Sequence, residues 1–232
     1  MESTNYIKKR ILSAEPSIFD LDYSFKREVI DFLPNKKFVD VLDYGAGNSP
    51  WAEYLDYTNY IKADISQNIN NDIDYILEIN KSIDIPNERF DLILMMDVFE
   101  HTPNADFTLG ECSRLCKEGG IMVLSIPFIY RENETPFDYF RMTSFGLKEA
   151  LIKHGFRIKK IKKVGNVFLT TYSLLYERNI KNGEVVRASI MGKAFNKLLK
   201  LFLPVLNKTL FIKSPDDDDG IYHHILIQAE KC

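Results

Sequence analysis

Three groups of residues in this 232-residue chain have types and spacings that could do chemistry. The first is the stretch VLDYGAGNSPW, residues 41–51, in which Asp43, Gly45 and Gly47 follow a short apolar run. A loop so poor in side chains lets a ligand lie against its backbone N–H groups. Asp43 stands at its mouth, where it would repel a pyrophosphate and attract a cation. Asp64 follows 21 positions later, at the end of a second strand pattern, where a carboxylate can accept hydrogen bonds from both hydroxyls of a ribose. Together these residues point to an adenosyl group carrying positive charge. A plain strand–helix turn for the loop and a solvated strand end for Asp64 are the structural alternatives. A dinucleotide fingerprint would need a third glycine where Pro50 stands, which counts against a nicotinamide cofactor.

The second group is FEHTPN, where His101 lies just beyond a buried strand pattern. A histidine there can act as a base near neutral pH, or support a cofactor pocket or loop. The third is the 130–143 segment, which gathers Tyr130, Arg131, Glu132, Glu134, Asp138, Tyr139, Arg141 and Thr143. Such a density of polar and aromatic groups suits a polyhydroxylated or anionic ligand. The same residues also suit a self-satisfied loop, with Asp138–Arg141 an internal ion pair and Thr143 or Ser144 capping the next helix. No metal site is expected. The run Asp216–Asp219 reads as a solvated turn, and alternation along a strand sends the side chains of His223 and His224 to opposite faces.

The elements that must position these groups alternate strand and helix. FVDVLDY (38–44), NYIKADI (59–65), FDLILMMDVF (90–99) and IMVLSIPF (121–128) read as strands, the third apolar enough to be covered on both faces. A helix should start near Pro50 with Ser49 as its cap, another should run through NADFTLGECSRLCKEGG to a stop at Gly119 and Gly120, and a third should fill SFGLKEALIKHGF. RIKKIKKVG and YHHILIQAEK supply the last strands. This order predicts an α/β, doubly wound, mostly parallel sheet. Residues 1–37 form a helical lead-in, 38–163 the core, 164–220 a helical insert and 221–232 the final strand.

A net charge of −3 gives no basic field for nucleic acid. Cys112, Cys116 and Cys232 make no disulfide framework and fit free thiols in a reducing compartment. The first fifteen residues lack the apolar core of a signal peptide, and no run is long enough to span a bilayer, so a cytoplasmic location is expected. Between Arg187 and Lys213 stand six basic residues and no acidic one, with Lys193, Lys197 and Lys200 on one helical face. That helix could lie on an anionic membrane surface at the inner face, or pack on the domain or on a second copy as a homodimer.

VLDYGAGNSPW, ADI and FDLILMMDVFEHTPNADFTLGECSRLCKEGGIMVLSIPF, taken in order over roughly residues 38–160, resemble the class I S-adenosylmethionine-dependent methyltransferases. The resemblance implies a Rossmann-like, seven-stranded sheet with an antiparallel last strand. It implies S-adenosylmethionine as cofactor and S-adenosylhomocysteine as product. It assigns Asp43, Gly45 and Gly47 to the cofactor loop, Asp64 to the ribose, and Asp97 to the cofactor cleft. Glu78 would sit near the adenine amino group, with Asn80 and then Asp84 as alternatives. Ser49 is a mild departure where the family often has another small residue. The pattern PFDYFRMTSFGLKEALIKHGF resembles a subgroup found with bacterial surface-polysaccharide synthesis, which implies a sugar or glycan acceptor. It makes Asp138, Tyr139 and Arg141 substrate-side candidates. His101, from its place at the cleft mouth, and Tyr139 are the catalytic candidates, and Tyr130 joins Asp138 and Arg141 on the substrate side. The alternatives are a small-metabolite or quinone-type acceptor, and a non-catalytic scaffold that binds the cofactor without turnover.

Overall fold

The computed structural model describes residues 21–167 and 220–232, with isolated positions between them (170, 171, 174, 180, 181, 184, 185 and 198). Helix α1 (Leu21–Phe32) carries Phe25, Val29 and Phe32 at spacings of four and three, so one stripe faces inward and Val29 and Phe32 are buried. Strands β1 (Lys37–Tyr44), β2 (Asp56–Asp64), β3 (Tyr75–Ile76) and β4 (Phe90–Met96) follow, then α2 (Ala105–Leu115), β5 (Cys116–Pro127), α3 (Ser144–Lys153) and β6 (Phe156–Val164). Two-residue strands β7 (Ile180–Lys181) and β8 (Glu184–Val185) pair with each other, and β9 (His224–Lys231) ends the chain.

The main sheet has seven strands in the order β3-β2-β1-β4-β5-β9-β6. Neighbours pair in parallel except at β9, which runs antiparallel to both β5 and β6. Strand order reverses between β1 and β4, and such a switch point opens a crevice at the strands' carboxyl ends. The apolar run of β4 is continuous because both faces are covered. Ile93 and Met95 face Leu109, Cys112 and Leu115 of α2 and Leu147 and Leu151 of α3. Leu92 and Leu94 face Val29 and Phe32 of α1 together with Trp51 and Leu55. Cys112 and Cys116 are buried free thiols.

Two local expectations are corrected, and one of the two candidate caps of α3 is selected. No α-helix starts at Pro50; Ser49 takes a left-handed φ of 51°, and only a 3-10 turn, Ala52–Tyr54, forms before β2. The six residues between Ser49 and Asp56 must also send Trp51 and Leu55 into the core, which leaves no length for a helix. Helix α2 ends at Leu115 rather than at Gly119, because Cys116 turns extended to pair with Phe90. Gly119 (φ +70°) and Gly120 then serve an irregular stretch of β5, where a Cβ on Gly120 would fall 2.8 Å from the Lys117 carbonyl oxygen. The cap of α3 is Thr143, whose hydroxyl accepts from the Gly146 N–H at 3.1 Å; Ser144 is the first helical residue. The insert expected over 164–220 and the basic helix of 187–213 lie almost wholly outside the described residues. Among the described residues, no helix is long and apolar enough to cross a membrane.

Candidate active site

The glycine loop folds over the end of β2, with the N–H groups of Gly45 and Ala46 both donating to the Ala63 carbonyl (2.8 and 3.1 Å). Gly45 has φ +80°, and a Cβ there would sit 2.3 Å from a Val98 methyl. That contact presses the loop against the turn that leaves β4. Gly45→Ala should therefore cost about 2–3 kcal/mol of stability, from overpacking and left-handed strain. Urea unfolding reads this directly, and an unmoved midpoint would show that the loop can shift away from Val98. Gly47 is also left-handed, but its would-be Cβ meets nothing within 4 Å, so open space lies over the backbone there.

Gly47 N–H donates to Asp64 Oδ2 at 2.8 Å, and Ile65 N–H donates to Asp64 Oδ1 at 2.7 Å. The strand-end carboxylate thus already touches the loop. Asp43 is buried and accepts a 2.6 Å bond from the Tyr60 hydroxyl. Burial pushes its pKa up to about 6, with the Tyr60 bond pulling the other way. Glu78, next to Leu77 whose N–H donates to the Asp64 carbonyl (2.8 Å), forms an exposed ion pair with Lys81 at 2.7 Å. Asn80 and Asp84 are exposed as well.

Across the crevice, Asp97 follows β4 with a left-handed φ of 54°. Its N–H donates to the Ser125 hydroxyl (2.8 Å), which in turn donates to Asp97 Oδ1 (2.6 Å). Desolvation raises the Asp97 pKa to about 6, against that bond and the His101 charge. Glu100 is 2% exposed, and its Oε2 has no hydrogen-bond partner. Burial, then the neighbouring Asp97 charge, raises the Glu100 pKa to about 8. His101 Nε2 lies 3.6 Å from Glu100 Oε1, while its Nδ1 is 2.9 Å from the Phe137 carbonyl oxygen. Only an Nδ1–H can bond a carbonyl, so this contact sets the His101 tautomer.

The 130–143 segment is clamped onto the 99–101 turn by that contact, by Tyr139 N–H donating to the Glu100 carbonyl (3.0 Å), and by Phe140 edge-on to Phe99 at 5.1 Å. Tyr139 enters through its backbone; its side chain is 45% exposed. Asp138 and Arg141 face each other as a bidentate pair, Asp138 also accepting from Asn133 N–H at 2.7 Å. Arg141 donates further to the Arg131 and Phe140 carbonyls. These two side chains hold the loop's shape.

One expectation about the last strand fails in a useful way. His223 precedes β9, so strand alternation does not yet apply, and its Nδ1 lies 2.6 Å from His224 Nδ1. His224 Nε2 faces Asp97 Oδ2 at 3.7 Å. Phe25 of α1 covers His224 at 4.4 Å between ring centroids, and Tyr130 meets it edge-on at 5.6 Å. Sequence reasoning missed His224 and Glu100. The only available signals were a strand-end position for the first and adjacency to His101 for the second. The crevice therefore has two halves: Asp43, Gly45, Gly47 and Asp64 on one side, and Asp97, Glu100, His101, Tyr130 and His224 on the other. Val98 against Gly45 joins them. Among the described residues, no group of three or more His, Cys, Asp or Glu side chains is arranged to hold a metal ion.

This crevice, at the switch point of a seven-stranded sheet with an antiparallel β9, defines a class I, Rossmann-like S-adenosylmethionine-dependent methyltransferase. Residues 20–164 match the family model described as a methyltransferase domain, and the chain belongs to that family. A stretch of 53 residues is 43% identical to the ubiquinone biosynthesis O-methyltransferase of Bradyrhizobium sp. (strain ORS 278), covering 23% of this chain and 21% of that protein. The match thus spans about a fifth of that relative's length. Among solved structures, an S-adenosylmethionine dependent methyltransferase from Mesorhizobium loti superposes with a TM-score of 0.56 at 14% identity, over 91% of this chain and all of that one. Phosphoethanolamine N-methyltransferase 2 of Haemonchus contortus, in complex with S-adenosyl-L-methionine, gives 0.51 at 15% identity over 88% of this chain and 51% of that one.

Proposed function

We propose that the protein transfers a methyl group from S-adenosylmethionine to a hydroxyl or amine of a sugar- or glycan-type acceptor. The observation that carries this reading is the clamp of the 130–143 segment onto the Glu100–His101 turn. It holds the segment against a turn that carries the ionisable side chains of Glu100 and His101, which supports a hydrogen-bonding acceptor. The residues opposite fit the cofactor. The free space over Gly47 admits a ligand against the backbone, and Asp64 beside it can exchange its Gly47 bond for the ribose hydroxyls. Ile65, 69% exposed next to Asp64, offers an apolar surface to a purine. Buried Asp43 supplies negative charge behind the loop for the cationic end.

The cofactor supplies an activated methyl on a sulfonium. The chain's own contribution is to align the acceptor, exclude water and receive a proton. We assign the proton to Asp97, which faces His224 Nε2; the Nδ1–H bond of His101 to the Phe137 carbonyl leaves its Nε2 as the other candidate acceptor. His101 then acts as a positioning residue for the Glu100 turn and the clamp. Because Arg141 is already taken up by Asp138, this pair offers no cation to an anionic acceptor, and an uncharged one is favoured.

A second reading is a phenolic, quinone-type acceptor. It is supported by the 53-residue likeness to an O-methyltransferase of ubiquinone biosynthesis. Release of S-adenosylhomocysteine from S-adenosylmethionine, measured with uncharged methyl glycosides against catechol, separates the two. Turnover of sugars supports the first reading, and turnover of catechol alone supports the second. Cofactor binding with no turnover of either would favour a scaffold role. Asp64→Ala should weaken S-adenosylhomocysteine binding by about 1–3 kcal/mol in titration calorimetry, since a charged hydrogen-bond acceptor is lost. Undiminished affinity would remove Asp64 from the ribose site.

A further inference from the structure

The His223–His224–Asp97 line has a gap of a particular size and a proton inventory that selects what can fill it. His224 Nε2 and Asp97 Oδ2 are 3.7 Å apart, too far for a hydrogen bond between them. An oxygen about 2.8 Å from each fits the gap. On the other side, His223 Nδ1 and His224 Nδ1 are 2.6 Å apart, so one proton lies between them. Burial holds both imidazoles neutral, His224 and Arg141 adding to the effect on His223 and His224 respectively. With the Asp97 carboxylate facing Nε2, the favoured tautomer of His224 carries its proton there, and His224 Nδ1 accepts from His223 Nδ1–H. This leaves the buried His223 Nε2 as an unpaired acceptor rather than an unpaired donor. The gap thus presents one donor, His224 Nε2–H, and one acceptor, Asp97 Oδ2. Ser125 fixes the carboxylate through Oδ1, and Phe25 and Tyr130 wall the imidazole.

We propose that the gap between His224 and Asp97 is a seat for an acceptor hydroxyl, so that the protein methylates oxygen and not nitrogen. This rests on the methyltransferase reading above. A hydroxyl oxygen has two lone pairs: one accepts from His224 Nε2–H, the other remains for the methyl, and the O–H donates to Asp97. A neutral amine has a single lone pair. If it accepts from His224 it cannot attack, and if it attacks it leaves His224 Nε2–H unpaired. The balance is simple. The acceptor's O–CH3 bond forms as the S–CH3 bond breaks, that bond's electron pair stays on sulfur as a neutral thioether, and the hydroxyl proton goes to Asp97.

Two measurements test the seat. Long-range proton–nitrogen NMR of the full-length protein with 15N-labelled histidine reads the tautomers without any turnover; only four histidines are present. The expected result is Nε2–H on His224 and Nδ1–H on His223. A proton on His224 Nδ1 overturns the proposal. The second compares S-adenosylhomocysteine release with matched probes, catechol against o-phenylenediamine and methyl α-D-glucopyranoside against methyl α-D-glucosaminide. Catechol or the glucopyranoside should be methylated about 100-fold faster than o-phenylenediamine. The glucosaminide, which keeps hydroxyls, should carry its methyl on oxygen by mass spectrometry. Methylation of o-phenylenediamine at an equal rate, or of the glucosaminide amine, overturns the seat. Calorimetry separates the two levels of failure. Absent S-adenosylhomocysteine binding removes the methyltransferase reading itself, whereas intact binding with N-methylation removes only the oxygen seat. If no probe turns over, the tautomer decides.

Discussion

Replacing Asp97 by asparagine should lower turnover by about 100-fold or more while leaving S-adenosylhomocysteine affinity nearly unchanged. The size follows from the usual contribution of a positioned general base. The asparagine is isosteric and its side-chain oxygen can still accept the 2.6 Å bond from the Ser125 hydroxyl, so the left-handed turn at 97 keeps its anchor. What is removed is the ability to take a proton, together with the acceptor oxygen that faces His224 Nε2. The pH dependence carries the same information. Burial raises the Asp97 pKa to about 6, so the base is lost as pH falls through about 6, and kcat should fall with it. In Asp97→Asn that limb should vanish. A less than threefold loss, or an acid limb that survives the substitution, would pass the base role to another group, His101 first.

Glu100→Gln should strongly change how stability responds to pH between neutral and alkaline conditions. The native carboxyl has its pKa raised from 4.5 to about 8 by burial and by the Asp97 charge. The folded state therefore keeps a proton that the unfolded chain releases near pH 4.5. The resulting stabilisation is fully present below about 4.5 and is lost as pH rises through about 8. Between about pH 6 and about pH 9 the native protein should lose on the order of 2–3 kcal/mol through this group, and the glutamine variant should not. Urea midpoints measured for both proteins across that range provide the check. Parallel curves would mean that Glu100 finds a charged partner in solution and stays ionised. The substitution leaves the clamp in place, because Glu100 holds Tyr139 through its backbone carbonyl, which glutamine retains.

The sequence by itself determined the sheet and half of the crevice. Strand and helix follow from the period of apolar residues, a local property, and FDLILMM reads as a doubly covered strand because both of its faces are apolar. The glycine loop and Asp64 are legible because left-handed backbone and a strand-end carboxylate leave marks at fixed spacing. The local errors share one cause. Pro50 and Gly119 looked like helix punctuation, yet chain length before β2 and the pairing of Cys116 with Phe90 decided those boundaries. The other half of the crevice was decided by tertiary structure. Asp138 and Arg141 proved to be each other's partners, which a list of polar residues cannot distinguish from a binding surface. His224 lies 127 positions from Asp97 in sequence, and the two meet because β9 inserts antiparallel beside β5 while Ser125 of β5 anchors Asp97. Burial of Glu100 and Asp97 raises their pKa values through desolvation, a property of surroundings that come from distant parts of the chain. Local periodicity writes the scaffold into the sequence; the protonation states and partnerships that make a reactive site exist only once the chain has folded.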